Sequence, residues 1–195
     1  MDRTAQIERT TSETRIVAEM NLDGSGTSEI STGIPFFDHM LDLFTSHGFI
    51  DLKLTAKGDI EVDSHHTVED IGIVLGNLFN EALDDRKSIK RYGTAVTPMD
   101  ETLTEVSVDL SKRPFFVYNL PFETGFCGGF DTRDVKEFFR AFSVAGGLNL
   151  HINVKYGENE HHIIESIFKA FGRAIDQAIT FDDRIEGCHS TKGVF

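Results

Sequence analysis

The sequence runs through one order of elements twice, and this repetition constrains the fold more than any other feature. Residues up to about 90 are predicted to form strands, a helix, a strand and a second helix. Residues from about 91 to 185 repeat that order, and residues 186–195 follow as a tail. An internal duplication of roughly 90 residues explains this most simply. We therefore expect one α+β domain over residues 1–195, built from two similar half-domains, each a small β-sheet backed by two α-helices.

Hydrophobic periodicity assigns the individual elements. In the first half it predicts strands over 6–11, 14–22 and 51–56, and helices over 34–44 and 68–83. In the second half it predicts strands over 94–98, 104–109, 115–119 and 148–155, and helices over 135–145 and 163–179.

Composition narrows the classes of function. The 195 residues are 39% hydrophobic, contain 17 glycines and carry a net charge of −13, so we expect a packed core and no binding to nucleic acid or anionic membranes. No apolar run of membrane-spanning length and no signal peptide are recognised. The two cysteines, Cys127 and Cys188, are far apart and predict free thiols, which is typical of a cytoplasmic protein.

Four of the eight histidines form two doublets, and these doublets predict a metal site. His65-His66 and His161-His162 occupy corresponding points of the two halves, and Glu69 and Glu165 each follow the first histidine by four residues. On a helix such a pair lies on one face and can bind one ion. The second histidine is rotated by about 100 degrees around the axis, so the motif predicts two ions. Imidazole and carboxylate ligands suit Mn, Fe, Zn or Ni equally.

Longer motifs stand in a fixed order around these residues. They are Phe36-Phe37-Asp38-His39-Met40, Asp63-Ser64-His65-His66-Thr67-Val68-Glu69-Asp70, Leu150-His151-Ile152, Glu160-His161-His162-Ile163-Ile164-Glu165 and Ser190-Thr191-Lys192-Gly193. With them the chain resembles the imidazoleglycerol-phosphate dehydratases of histidine biosynthesis, in their monofunctional form. The resemblance implies a cytoplasmic homo-oligomer of 24 subunits, assembled from trimers, with active sites formed between subunits.

The resemblance also implies two Mn²⁺ ions per active site. One ion would take His39, His66, His161 and Glu165, and the other His65, Glu69, His151 and His162. The implied reaction dehydrates imidazole glycerol phosphate to imidazole acetol phosphate. In it the metals stabilise an imidazolate, and a positioned acid or base moves protons.

Matching positions supply the implied substrate contacts. They are Glu13, His39, His47, His65, Glu69, Arg91, Arg113, His161, Ser190, Thr191 and Lys192. Glu13 is also the candidate acid/base, and Arg91, Arg113 and Lys192 are the candidates for binding phosphate. Asp100 and Glu101 resemble a further family motif, to which their spacing assigns no role.

Two other functions use the same ligand types. A dinuclear metallohydrolase would cleave a phosphate ester with a metal-bound hydroxide and release inorganic phosphate. A metal-storage protein or metal-stabilised assembly would need the ligands but would make no use of the three basic residues.

Overall fold

The computed structural model of the chain describes residues 3–120 and 125–192, which contain ten strands and four helices. The first half comprises β1 (Thr4–Thr10), β2 (Thr14–Asn21), β3 (Ser28–Ser31), α1 (Pro35–Gly48), β4 (Asp51–Gly58) and α2 (His65–Leu83). The second half comprises β5 (Tyr92–Met99), β6 (Thr102–Asp109), β7 (Phe115–Asn119), β8 (Phe126–Cys127), β9 (Phe130–Asp131), α3 (Asp134–Gly146), β10 (Asn149–Tyr156) and α4 (Glu160–Ile179).

The two halves have the same sheet topology, which confirms the predicted duplicated α+β fold. The first sheet has the order β1-β2-β4-β3 and the second β5-β6-β10-β7. In each sheet the third strand of the half pairs in parallel with its neighbour, and the other pairs are antiparallel. Thr14 and Thr102 are equivalent, because each begins the second strand of its half. Thr14 pairs with Gly58 at the end of β4, and Thr102 lies next to Gly157, directly after β10.

The four helices lie between the two sheets. Helix α2 packs on β1 and β2, helix α4 packs on β5 and β6, and the helix contacts between halves are α1 with α4 and α2 with α3. Phenylalanines fill the centre of this layer, where the rings of Phe138, Phe139 and Phe142 contact Phe168 and Phe171. One face of each sheet therefore covers the core and the other faces outward.

Two of the four predicted helices begin a few residues too late, for a physical reason. Helix α2 starts at His65 instead of 68, and α4 at Glu160 instead of 163. The first turns are polar and show no apolar period, but carboxylates and amides satisfy their backbone N–H groups. Asn159 accepts from the backbone N–H of His161, and Asp63 from that of His65. The β8–β9 hairpin was not predicted, because its strands have only two residues each.

No helix in residues 3–120 or 125–192 combines the length and apolar character needed to cross a membrane.

Candidate active site

All four helices begin at the same end of the helix layer. Phe37, near the start of α1, contacts Phe138 of α3 and Phe168 of α4. His65 at the start of α2 lies beside Asp134 at the start of α3. Both histidine doublets therefore project from one end of the molecule, which we call the N-terminal helix end.

His39, His161 and Glu165 form a group that could hold a metal ion, named here the three-residue cluster. One ligand atom from each lies within 4.8 Å of the others. The Nε2 atom of His161 is 3.1 Å from Oε2 of Glu165, and that of His39 is 3.8 Å from the same oxygen. The other oxygen of Glu165 binds the Nζ of Lys169 at 2.6 Å. Oε2 of Glu165 is thus left for the two imidazoles.

Glu165 is held as a carboxylate although it is buried. Burial alone would raise its pKa, but the Lys169 ammonium and the rings of His161 and His39 outweigh burial and lower it. An ionised carboxylate beside two imidazoles is a suitable donor set for a divalent cation.

His65 and Glu69 form the corresponding pair on α2, with 3.8 Å between Nε2 and Oε2. Arg140 of α3 donates to the other oxygen of Glu69 at 2.9 Å. The Nδ1 atom of His65 lies 3.5 Å from Asp134, a buried residue that also accepts from Ser64. His65 lines a cleft of about 760 Å³ next to this pair.

The second histidine of each doublet faces a different direction from the first. The ring planes of His65 and His66 differ by 75°, and those of His161 and His162 by 83°. Each doublet therefore presents its two rings to separate positions, as the helix geometry predicts.

Carboxylates outside the helices bind these second histidines. The Nδ1 of His66 is 3.0 Å from Oδ2 of Asp59, and the Nδ1 of His162 is 2.7 Å from Oε2 of Glu101. These hydrogen bonds are the main reason that the pKa of each ring is raised. The hydrogen bond from His162, with the N–H of Asn159, lowers the pKa of Glu101 to about 2.

His151 lies on the outward face of the second sheet. Its neighbours Leu150 and Ile152 are fully buried against the helices, and a strand alternates its side chains between faces. The ring of His151 instead lies near that of Phe115, with centroids 6.3 Å apart. His151 is thus separated from the helix end of its own chain.

The predicted phosphate-binding residues surround one pocket of about 460 Å³. Its lining includes Arg91, Arg113, Ser190, Thr191 and Lys192. The guanidinium of Arg91 donates to Asp109 at 2.6 Å and to the carbonyl of His189 at 2.6 Å. These bonds connect the sheet to the C-terminal segment and help to form the pocket.

Two predicted substrate contacts lie outside both groups. Glu13 is exposed in the turn between β1 and β2, where its charge contributes to the raised pKa of His66. His47 lies about 12 Å beyond His39 along α1. Burial, followed by the charges of Lys169 and Arg173, lowers the pKa of His47.

The predicted site residues therefore occupy separate regions of one chain. The pocket adjoins the end of α4, where the N–H of Arg91 donates to the carbonyl of Ala178. His161 is at the start of the same helix, about 25 Å away at 1.5 Å per residue. Among the described residues, the three-residue cluster contains three members of one predicted ligand set, without His66. His65 and Glu69 are together, without His151 or His162.

Four residues that contact the candidate ligands had no role assigned from the sequence, although Glu101 was noted as part of a motif. Asp59, Glu101, Asp134 and Lys169 contact His66, His162, His65 and Glu165, respectively. One signal was available, since Glu101 precedes Thr102 as Glu13 precedes the equivalent Thr14. Lys169 follows Glu165 by four residues on the same helix, a spacing that also indicated the contact. Asp59 lies in a loop and Asp134 on another helix, and no spacing marks either residue.

Solved structures share this fold. The imidazoleglycerol-phosphate dehydratase of Staphylococcus aureus has a TM-score of 0.83 and 44% identity, covering 92% of this chain and 99% of that one. The IGPD of Pyrococcus furiosus has a TM-score of 0.84 and 36% identity, covering 97% and 100%. The fold and its candidate site thus define an enzyme of the hydro-lyase class, which removes water from a substrate.

Sequence comparisons identify the family. The family model for imidazoleglycerol-phosphate dehydratase matches residues 32–175. The enzyme of that name from Desulfosudis oleivorans is 60% identical over 99% of both chains. That from Trichlorobacter lovleyi is 57% identical over 100% of both. The chain belongs to the imidazoleglycerol-phosphate dehydratase family, whose name places it in histidine biosynthesis.

Proposed function

We propose that this enzyme converts imidazole glycerol phosphate to imidazole acetol phosphate with two Mn²⁺ ions in each active site. One observation carries the proposal. Each half places a histidine and a glutamate four residues apart at the N-terminal helix end, His65 with Glu69 and His161 with Glu165. The relatives described above are named for the dehydratase activity.

The residues present fit divalent metal ions. The three-residue cluster offers two imidazoles and an ionised carboxylate, and Lys169 fixes the direction of that carboxylate. The pair His65 and Glu69 repeats these donor types. Bound at these groups, the ions would act as Lewis acids on the ring nitrogens of the substrate and stabilise negative charge on the imidazole.

Glu13 is proposed to move a proton and to contact substrate. It lies in a turn close to His66, and its side chain is exposed. A carboxylate at that position can take a proton from the glycerol carbon once the substrate ring is held at the metal centre.

The 460 Å³ pocket is proposed to bind the phosphate. Arg113 and Lys192 are exposed cations at its rim, and Ser190 and Thr191 add hydroxyl donors. Charge-assisted hydrogen bonds from such groups suit a phosphate, and they act locally in a protein whose net charge is −13.

Each active site is proposed to combine residues of different subunits. The pocket and the three-residue cluster of one chain are about 25 Å apart, measured along α4, and a substrate with three carbons between its ring and its phosphate cannot span that length. His151 faces outward, together with the exposed apolar side chains of Val96 and Phe115. Such a surface suits burial against another copy. An assembly of 24 subunits built from trimers would unite the separated groups.

Metal reconstitution tests the activity. Chelated protein supplied anaerobically with Mn(II) should form imidazole acetol phosphate and release no inorganic phosphate. Release of phosphate without the acetol product would instead support the dinuclear hydrolase. Metal uptake without either product would favour a metal-stabilised assembly. Sizing before and after chelation tests the link to assembly, since we expect metal removal to loosen the oligomer.

Mixed assemblies test the shared site. His161→Ala and Arg113→Gln each remove one part, so at substrate concentrations well below the wild-type KM each homo-oligomer should have little activity. Co-assembled subunits should regain up to roughly a quarter of the wild-type activity, because some sites combine an intact cluster with an intact pocket. If every active site lies within one chain, the mixture stays inactive.

We also propose a cytoplasmic location. Cys127 and Cys188 are free, which suits a reducing compartment.

A further inference from the structure

The second histidine of each doublet makes the same kind of contact in both halves of the molecule. His66 contacts Asp59, and His162 contacts Glu101, each through Nδ1. The two carboxylates come from different places, since Asp59 follows β4 and Glu101 lies in the turn between β5 and β6. The shared feature is therefore the bond to Nδ1, not the position of the acid in the half.

The contact between Glu101 and His162 determines which nitrogen of the ring carries the proton. An ionised carboxylate only accepts hydrogen bonds, so the Nδ1 of His162 must be the donor at 2.7 Å. In the neutral ring, the lone pair is then on Nε2. That nitrogen faces the exposed side chain of Asp100, 3.8 Å away, and is not enclosed by the core.

Three donors hold Glu101 in place from the other side. Its Oε1 atom accepts from the N–H of Asn159 at 2.9 Å, the N–H of Glu158 at 3.3 Å and the hydroxyl of Thr102 at 3.1 Å. The first two groups immediately precede α4. Oε1 thus secures the carboxylate to the start of the helix, and Oε2 is directed at the histidine.

The turn itself supports this placement. Met99 pairs with Thr102, so only Asp100 and Glu101 lie between the strands, and Asp100 has a left-handed backbone with φ of 47°. Tight two-residue turns of this kind need a positive φ and fix the direction of the next side chain. Glu101 is therefore aimed at α4 by the backbone.

We propose that Glu101 is a positioning residue that holds the ring of His162 with Nε2 ready to bind a metal ion. This inference rests on the proposed metal centre, and it gives a role to a motif that spacing alone left without one. Carboxylates that bind the second nitrogen of a ligand histidine are a general means of fixing its tautomer and orientation.

Glu101→Gln is the sharpest test, because the two oxygens of Glu101 have different partners. Oε1 accepts from the backbone before α4, and Oε2 accepts from the ring of His162. The backbone donors of Glu158 and Asn159 require an oxygen at the Oε1 position. The amide nitrogen of glutamine is then placed against Nδ1 of His162, where it donates instead of accepting. The ring must move its proton to Nε2, which cannot bind a metal in that form.

The experiment measures Mn(II) binding to full-length protein by competition with a chromogenic chelator. We expect the variant to bind Mn(II) about 10 to 100-fold more weakly than wild type. Glu8→Gln makes the same chemical change in an exposed ion pair with Arg15 and should bind as wild type does. Thermal unfolding of metal-free protein should be alike for both variants, which separates positioning from a loss of fold.

A spectroscopic measurement addresses the tautomer directly. Solid-state NMR of metal-free protein labelled with ¹⁵N-histidine should show one ring changing from Nδ1-protonated to Nε2-protonated in Glu101→Gln. Wild-type affinity and an unchanged tautomer in the variant would overturn the inference while leaving the metal centre intact. If wild type itself takes up no Mn(II), the proposed metal centre fails and the inference fails with it.

Discussion

Lys169 and Glu165 form an ion pair one turn apart on α4, with Nζ 2.6 Å from Oε1. The side chains are 18% and 10% exposed, so the pair is largely removed from water. The lysine fixes the unused oxygen of a candidate metal ligand and keeps that ligand ionised.

Lys169→Met should destabilise the metal-free protein more than the metal-loaded protein. Without the ammonium, Glu165 keeps only its contacts with His39 and His161, at a cost of roughly 1 to 3 kcal/mol in the free energy of unfolding. A bound cation would replace part of the lost charge. Melting curves with and without Mn(II) measure the difference, and an equal loss in both states would contradict the prediction. The double variant with Glu165→Gln should lose less than Lys169→Met alone.

Arg113→Gln should raise KM for the phosphorylated substrate by roughly 10 to 100-fold, the value of one charge-assisted hydrogen bond. Mn(II) affinity should not change, because the pocket lies far from the three-residue cluster. Lys112→Gln is the matched control, since it makes the same change in net charge at an exposed neighbour that does not line the pocket. Equal effects of both variants would mean that overall charge, and not the pocket, attracts the substrate.

Gly76→Ala should weaken the contact between α2 and α3. A Cβ atom at this position would lie 2.7 Å from the carbonyl oxygen of Phe142 and 2.8 Å from Cβ of Ala145. Backbone must move to relieve such contacts, which we expect to cost roughly 2 to 3 kcal/mol in urea denaturation. Asn77→Ala changes the next, exposed residue of the helix and should be neutral or slightly stabilising. If Gly76→Ala is as stable as wild type, α2 and α3 can move apart at little cost in the free energy of unfolding.

Asp51→Ala should lower stability by about 1 kcal/mol at neutral pH, with a difference that disappears in acid. The carboxylate accepts from the N–H of Thr27 and of Ser25, and these bonds lower its pKa below 3.8. A lowered pKa in the folded state adds stability above 3.8, and this is lost as pH falls through the folded value. Denaturation of both proteins across a pH series measures the change. A constant difference down to acid pH would show that the carboxylate's charge is not involved.

The sequence predicted the four helices and seven of the ten described strands, with the ends of those strands within two residues of the observed ones. Strand β7 was predicted with its observed bounds, Phe115–Asn119, because apolar side chains and a nearby proline mark it. The four-residue spacing also correctly placed His65 with Glu69 on α2 and His161 with Glu165 on α4, although the apolar period began both helices too late.

Contacts between distant segments could not be predicted in this way. Glu101 and His162 are 61 residues apart, and their bond depends on how a turn faces a helix. The alternation of Leu150 and Ile152 indicates that His151 faces outward, but its separation from the N-terminal helix end depends on how the sheet packs on the helices. The distance between the pocket and the cluster likewise depends on the contact of Arg91 with the end of α4, which joins distant segments of the chain.

The equivalence of Glu13 and Glu101 has an evolutionary consequence. In a symmetric dimer of identical half-domains, the two glutamates would be the same residue in two copies of one chain. Both would then have the same surroundings and the same contacts. Fusion into one chain removes that constraint. Glu101 now secures a histidine, while Asp59 makes the corresponding contact in the first half and leaves Glu13 exposed. The two halves thus use equivalent acids differently, one as a fixed support for a ring and the other as an accessible carboxylate.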